Sequence, residues 1–202
     1  MVSSTVLYMS MSLDGFVTGP NEGPDNGLGD GGELLHEWIF QGVGDHPRDA
    51  IGGTGSVNSR IVDEFRATGA VLTGRRTFEA AGGWGGDHHD GVPIYVLSRN
   101  PAPAWAAGWP AVQYVSDVAA AARDAKHAAG DQNVLVHGAG AMVRLALTAG
   151  VLDELAIHLI PVLLGDGRRL FEHLGVDQRR LERISVREGE DGVTHLRYRV
   201  RR

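Results

Sequence analysis

From Ala70 onward, short apolar β-prone runs alternate with helical ones, the pattern of a largely parallel sheet with helices on its faces. The strand candidates are Ala70 to Thr73, Pro93 to Leu97, Val112 to Val115 and Asn133 to Val136. Asp117 to Ala129 is alanine-rich, opens on an N-cap residue type and stops at Gly130, and Ala139 to Ala149 stops at Gly150, so both read as helices. The C-terminal third changes style. Leu155 to Leu164, Leu181 to Glu188 and Thr194 to Val200 are strand-like, and the last two flank Gly189 to Gly192 as a hairpin does. Pro161 cannot donate to a ladder, so it is expected at a bulge or an unpaired position.

Ahead of this region, Val6 to Met11 reads as a strand that runs into a glycine-dense loop, Gly15 to Gly32, long enough to be a candidate lid. Gly32 to Gln41 places Leu34, Leu35, Trp38 and Ile39 at helical spacing, with Glu33 and Glu37 on another face. After a second glycine-rich loop, Gly42 to Gly55, Val57, Ile61 and Phe65 recur every four residues as in a helix. With 202 residues and one continuous pattern, residues 1–202 are expected to form one domain.

The net charge of −6 and the scattered arginines argue against a nucleic-acid surface. The absence of cysteine excludes disulfides, thiolate-ligated metal and a cysteine nucleophile. No run approaches the roughly 18 apolar residues of a membrane span, so a soluble, cytoplasmic protein is expected.

Two segments point to an anionic ligand. Asn133 to Met142, NVLVHGAGAM, runs a buried strand into glycines and then a helix, which presents bare backbone N–H groups and a positive helix end. Glycines at such a turn also serve close packing, and this segment alone leaves both readings open. Thr73-Gly74-Arg75-Arg76-Thr77 adds a second strand-to-helix turn and two guanidiniums able to grip phosphate, and Ser98-Arg99 ends the next strand on the same edge. Two phosphate-reaching loops on one edge suggest a dinucleotide, and the arginines favour a 2′-phosphate, hence NADPH over NADH. Asp14, before Gly15, has an ordinary role as a turn aspartate. His88 and His89 with Asp87 and Asp90 carry no metal-ligand spacing, and adjacent side chains in an extended loop point apart, so no metal is expected. Trp84, in Gly-Gly-Trp-Gly-Gly, is read as packing, with stacking on a flat ring as the alternative. Arg168 and Arg169 are read as a solvated turn, with a carboxylate or phosphate partner as the alternative.

Ser12-Leu13-Asp14-Gly15-Phe16, Leu72-Thr73-Gly74-Arg75-Arg76-Thr77-Phe78-Glu79 and Leu152 to Phe171 together resemble the dihydrofolate-reductase-like superfamily that includes the riboflavin-biosynthesis reductase, the RibD C-terminal domain. The resemblance runs from about Val6 to Leu174. It implies an α/β fold with a central, mostly parallel sheet, helices on both faces and an antiparallel C-terminal hairpin. It places Gly138, Ala139, Gly140, Ala141 and Met142 beside the dinucleotide, Gly74, Arg75, Arg76 and Thr77 on the diphosphate or 2′-phosphate, and Ser98 and Arg99 at the adenosine end. Asp14 falls beside the nicotinamide and the substrate, and Glu33 and Glu37 lie on the element from which folate reductases supply their acid. The implied activity is NADPH-dependent hydride transfer to a heterocyclic or ribosylamino substrate, with 5-amino-6-(5-phosphoribosylamino)uracil reductase as the nearest named reaction. A homodimer is implied too. The alternatives are a dihydrofolate or pterin reductase and a nucleotide-binding protein without turnover. Where the riboflavin enzymes carry Lys after Ser-x-Asp-Gly, this chain has Phe16.

Overall fold

The computed structural model describes residues 3–23, 25–40, 50–175 and 178–201. The expected end of the first helix at Gln41 and most of the second glycine-rich loop fall outside these residues.

β1 (Thr5–Ser12) is followed by a short β2 (Phe16–Thr18), a 3₁₀ turn (Gly32–Leu35), α1 (Glu37–Phe40) and α2 (Val57–Arg66). β3 (Ala70–Gly74), α3 (Arg75–Ala80), β4 (Ile94–Leu97), β5 (Val112–Val115), α4 (Val118–Ala129), β6 (Val134–His137) and α5 (Ala141–Thr148) form the alternating region. β7 (Glu154–Ile160), β8 (Arg168–Arg169), β9 (Leu181–Glu188) and β10 (Thr194–Val200) complete the chain. Eight strands lie in one sheet in the order β5-β4-β3-β6-β1-β7-β10-β9. β1 pairs in parallel with both β6 and β7, with Val6 beside Leu135 and Tyr8 beside Ala156. β10 runs antiparallel to β7 and to β9. The expected architecture is therefore present.

Side-chain alternation along the strands divides the core in two. Leu7, Leu72 and Val136 face α4 and α5, where Ala121, Ala125, Val143 and Ala146 are buried. Val6, Val71 and Leu135 face the other way, onto Trp38, Ile61, Phe65 and Phe78. α4 begins where the Asp117 carboxylate accepts from Ala120 N at 2.7 Å, and it ends at Gly130. α2 is capped by Ser56, whose hydroxyl accepts from Ser59 N at 3.0 Å.

Two local readings change, and two features are added. Gly32 to Phe40 is not one helix but a 3₁₀ turn and a single α turn that break at His36, where φ is −117°. The strand expected to reach Leu164 ends at Ile160, because Pro161 cannot continue the ladder, and Val162 N turns back to Ile160 O at 2.8 Å. Residues 82–86 form a left-handed turn with positive φ throughout, Trp84 included. β2 and β8, too short to read from a pattern, pair antiparallel and clasp the chain after β1 to the chain after β7.

Candidate active site at the carboxyl edge

In a parallel sheet every strand ends on the same edge, so the turns after β1, β3, β4 and β6 converge. The two proposed phosphate turns touch: a Cβ built on Gly74 would lie 3.3 Å from Met142 Cβ, and one on Gly138 would lie 2.8 Å from Met142 Cγ. Gly138 and Gly140 have φ of 144° and 49°, a conformation side chains rarely adopt, so glycine is needed there on backbone grounds as well. Ala139 is buried and Ala141 exposed at the start of α5. Gly140 N donates to Leu170 O at 3.0 Å, and a methyl on Gly140 would collide with the Glu172 carboxylate.

Arg75 donates from Nε to Glu79 one turn on, at 2.7 Å. Arg76 is 67% exposed and lies 3.2 Å from Glu22, which comes from the glycine-rich loop. Thr77 is half-buried on α3. Glu22 is the residue that sequence reasoning missed. Its side chain is only 5% exposed, and its other oxygen lies 3.2 Å from Arg168. Arg168 thus follows the alternative reading, a carboxylate partner, rather than the solvated turn: its side chain is 12% exposed, while its Nε is buried with no hydrogen-bond partner among the described residues. Arg169 is likewise engaged, over the Phe16 ring at 4.3 Å and donating to Asp14 O at 2.9 Å. No local pattern marks Glu22, because one acidic residue in a polar loop is ordinary.

The Asp14 carboxylate accepts from Ser12 Oγ at 2.6 Å, Gly165 N at 2.7 Å and Leu164 N at 3.2 Å. The Ser12 hydrogen bond, with those two backbone donors, holds it below the ordinary carboxylate range. Asp14 therefore fastens the end of β1 to the turn after β7 as an ionised acceptor. Glu33 and Glu37 are exposed on the elements that follow the loop and make no side-chain hydrogen bond among the described residues. Ser98 is occupied in its own turn, accepting from Asn100 N at 3.0 Å and donating to Asn100 O at 2.7 Å, while Arg99 is exposed.

Beneath the edge, His137 closes β6 and meets the Trp84 ring at 5.9 Å between centroids. Burial pushes its imidazole down to about 4 and also lowers that of His36, on the turn before α1. His88 and His89 do not point apart as the sequence suggested. Their loop turns rather than extends, and the two Nδ1 atoms come within 2.7 Å. Among the described residues no group of three or more His, Asp or Glu is arranged to hold a metal ion. No helix there is long and apolar enough to cross a membrane.

The sequence profile described as the RibD C-terminal domain matches residues 4–195. Three solved structures share the fold. A protein assigned to riboflavin biosynthesis from Shewanella sp. PV-4 superposes with a TM-score of 0.69 at 21% identity, over 98% of this chain and 99% of its own. A pyrimidine reductase-like protein from Corynebacterium diphtheriae gives 0.61 at 15% identity, over 99% and 92%. Dihydrofolate reductase from Enterococcus faecalis, complexed with NADP(H) and RAB-propyl, gives 0.57 at 16% identity, over 100% and 99%. No curated protein sequence matches the chain.

Proposed function

The chain belongs to the RibD C-terminal domain family, and from that premise we propose that it is an NADPH-dependent oxidoreductase reducing a heterocyclic or ribosylamino substrate. The observation that carries the reading is the contact between the Gly74 turn and the Gly138 to Met142 turn, which puts two glycine-lined backbone approaches and Arg75, Arg76 and Arg168 along one edge. What supports a dinucleotide is the glycine backbone at Gly74, Gly138 and Gly140, packed against Met142 and Glu172, together with the buried Arg168 Nε, which lacks a partner among the described residues. Gly138 to Met142 would approach the diphosphate, Gly74 to Thr77 the diphosphate or 2′-phosphate, and Ser98 and Arg99 the adenosine. The bound cofactor would supply the hydride. This chain's part is to bind, orient and exclude water, with Asp14 and the β2–β8 clasp holding the glycine-rich loop in place and Glu33 and Glu37 as the exposed carboxylates nearest in sequence to that loop. 5-Amino-6-(5-phosphoribosylamino)uracil reduction is the nearest named reaction.

Fluorescence titration with NADPH and NADH, on the wild type and on the Arg75→Ala, Arg76→Ala double variant, tests the cofactor assignment. NADPH is expected to bind more tightly, and the double variant to lose most of that preference, about tenfold or more. Binding of neither dinucleotide would remove the reductase reading.

The proposal extends to a homodimer. Val186, 48% exposed, stands opposite Leu196 in the ladder, and Leu196 and Tyr198 are only half-buried on the same side of the sheet, whereas α4 packs over β3 to β6. Light scattering is expected to give a dimer for the wild type and a monomer for Val186→Asp. A monomeric wild type rejects it.

A further inference from the structure

Glu22 joins two arginines without satisfying the buried one, and the shape of the mismatch points to a ligand. Its side chain is 5% exposed, and its two oxygens lie 3.2 Å from Arg76 Nη2 and 3.2 Å from Arg168 Nη2. Thr18 Oγ1 donates to Oε2 at 3.3 Å. Oε1 and the Arg168 Nε are nevertheless buried with no hydrogen-bond partner among the described residues. A buried ion pair repays its desolvation only when the geometry is good and the remaining donors and acceptors are met, so this pairing is a poor structural bond.

Glu64 also bridges two arginines, and there the atoms are met. It accepts from Arg187 Nη1 at 2.6 Å and from Arg197 Nη1 at 3.3 Å, while Arg197 Nε donates to Glu154 at 2.7 Å. The slot at Arg168 asks for a different acceptor. A carboxylate that sends one oxygen to each arginine fills neither guanidinium fork, whereas a phosphoryl group has three oxygens, enough to take Nε and Nη2 of Arg168 together and still meet Arg76. Arg75 and Arg169 stay with their own partners, Glu79 and the Asp14 carbonyl. Glu172, beside the Gly140 turn, is a second carboxylate whose charge favours that of Arg168.

The loop around Glu22 closes on itself. Gly23 and Asn26 exchange backbone hydrogen bonds at 3.0 and 3.1 Å, and the Asp30 carboxylate accepts from Asn21 Nδ2 at 2.6 Å and from Asn26 Nδ2 at 2.8 Å. Lifting Glu22 therefore breaks its contacts with Thr18, Arg76 and Arg168 and spares these. We propose that the slot between Arg76 and Arg168 is a phosphate subsite whose resident carboxylate, Glu22, is an internal competitor that a phosphoryl group of the ligand displaces. The inference rests on the reading of this edge as the ligand-binding edge, and it adds that Glu22 sets the affinity for phosphate below what the two arginines alone would give.

Calorimetric titration of the intact chain with inorganic pyrophosphate tests it. Glu22→Gln, which removes the competing charge, is expected to bind about tenfold more tightly than the wild type, and adding Arg168→Lys, which removes the fork, is expected to abolish the gain. Glu22→Asp keeps the net charge but draws the carboxylate back by one methylene, and a smaller gain is expected. NADPH and ribose 5-phosphate, titrated into the same proteins, tell the two sources of the phosphoryl group apart: the gain falls on the dinucleotide if the cofactor displaces Glu22, and on the sugar phosphate if the substrate does. No gain on pyrophosphate in Glu22→Gln, or a gain that survives Arg168→Lys, overturns the proposal, and Glu22→Asp decides in the same way if the glutamine variant does not fold. Wild-type binding of NADPH with no gain in the variants leaves the reductase reading standing without the subsite; a pyrophosphate gain with no binding of NADPH or NADH leaves the subsite standing without the reductase.

Discussion

Gly83→Ala is expected to lower the melting temperature by about 10 °C, given roughly 3 °C per kcal/mol for a chain of this size. At this position φ is +59°, and a Cβ would stand 2.6 Å from Trp109 Cζ3, 2.7 Å from Phe78 Cζ and 2.9 Å from Trp105 Cζ3. The left-handed backbone costs about 1–2 kcal/mol for a non-glycine residue, and forcing three packed rings apart costs about 1–3 kcal/mol more. Gly85→Ala isolates the first contribution: its φ is +65°, but nothing lies within 4 Å of the added atom. Calorimetry on both variants checks the reasoning. Equal melting temperatures would show that the aromatic cluster yields, and that Trp84 is not held in its place over His88 by the glycine run.

Acid is expected to weaken the fold well before its carboxylates titrate. His137 and His195 are pushed down to about 4, chiefly by burial, and burial holds His158 well below its ordinary value. Between the folded value near 4 and the unfolded value near 6.5, the unfolded chain binds more protons than the folded one, so stability falls as pH falls through that window and levels off below it. With roughly 1.4 kcal/mol for each tenfold difference in proton affinity between the folded and unfolded chain, and allowance for the partial exposure of His137, the loss between pH 7 and 4.5 amounts to about 4 kcal/mol. Asp14, Asp153 and Glu190, all held below their ordinary values, add a second loss at lower pH. Urea midpoints at pH 7.5, 6 and 4.5 read this directly. A flat profile would mean that water or relaxation solvates the buried rings, and His158→Gln should flatten a real slope.

Much of the scaffold is legible in the sequence because it rests on local rules. Asp117 and Gly130 bracket α4 as cap residues do, and Val6, Val71 and Leu135 alternate with Leu7, Leu72 and Val136 because strands have a period of two. The misreadings fall where a tertiary partner decides. The amphipathic spacing of Leu34, Leu35, Trp38 and Ile39 suggests one helix, yet the chain kinks at His36, and Trp38 donates to Ser10 Oγ at 2.9 Å on β1. Pro161 signals an irregularity by its missing donor, but composition does not say that the strand stops there instead of resuming. The turns at Gly74 and Gly138 are legible from their glycines and arginines, because a turn that must leave room shows it in composition. Glu22, buried between Arg76 and Arg168, and the His88–His137 contact across 49 positions carry no local mark, since long-range pairing leaves residue identity free of any spacing rule.

β1 occupies the middle of the sheet, and both of its neighbours, β6 and β7, come from the second half of the chain. During synthesis, β1 has no ladder to join until about residue 137 has emerged, and its Val6, Leu7 and Tyr8 stay uncovered until then. Asp14 waits longer still, for backbone donors at Leu164 and Gly165. Contacts of such long sequence separation fold slowly and reward the chain late. A product truncated before β7 therefore carries β1 with one of its two neighbours missing, and slow folding late in translation is the expected consequence of strand order, whatever the ligand.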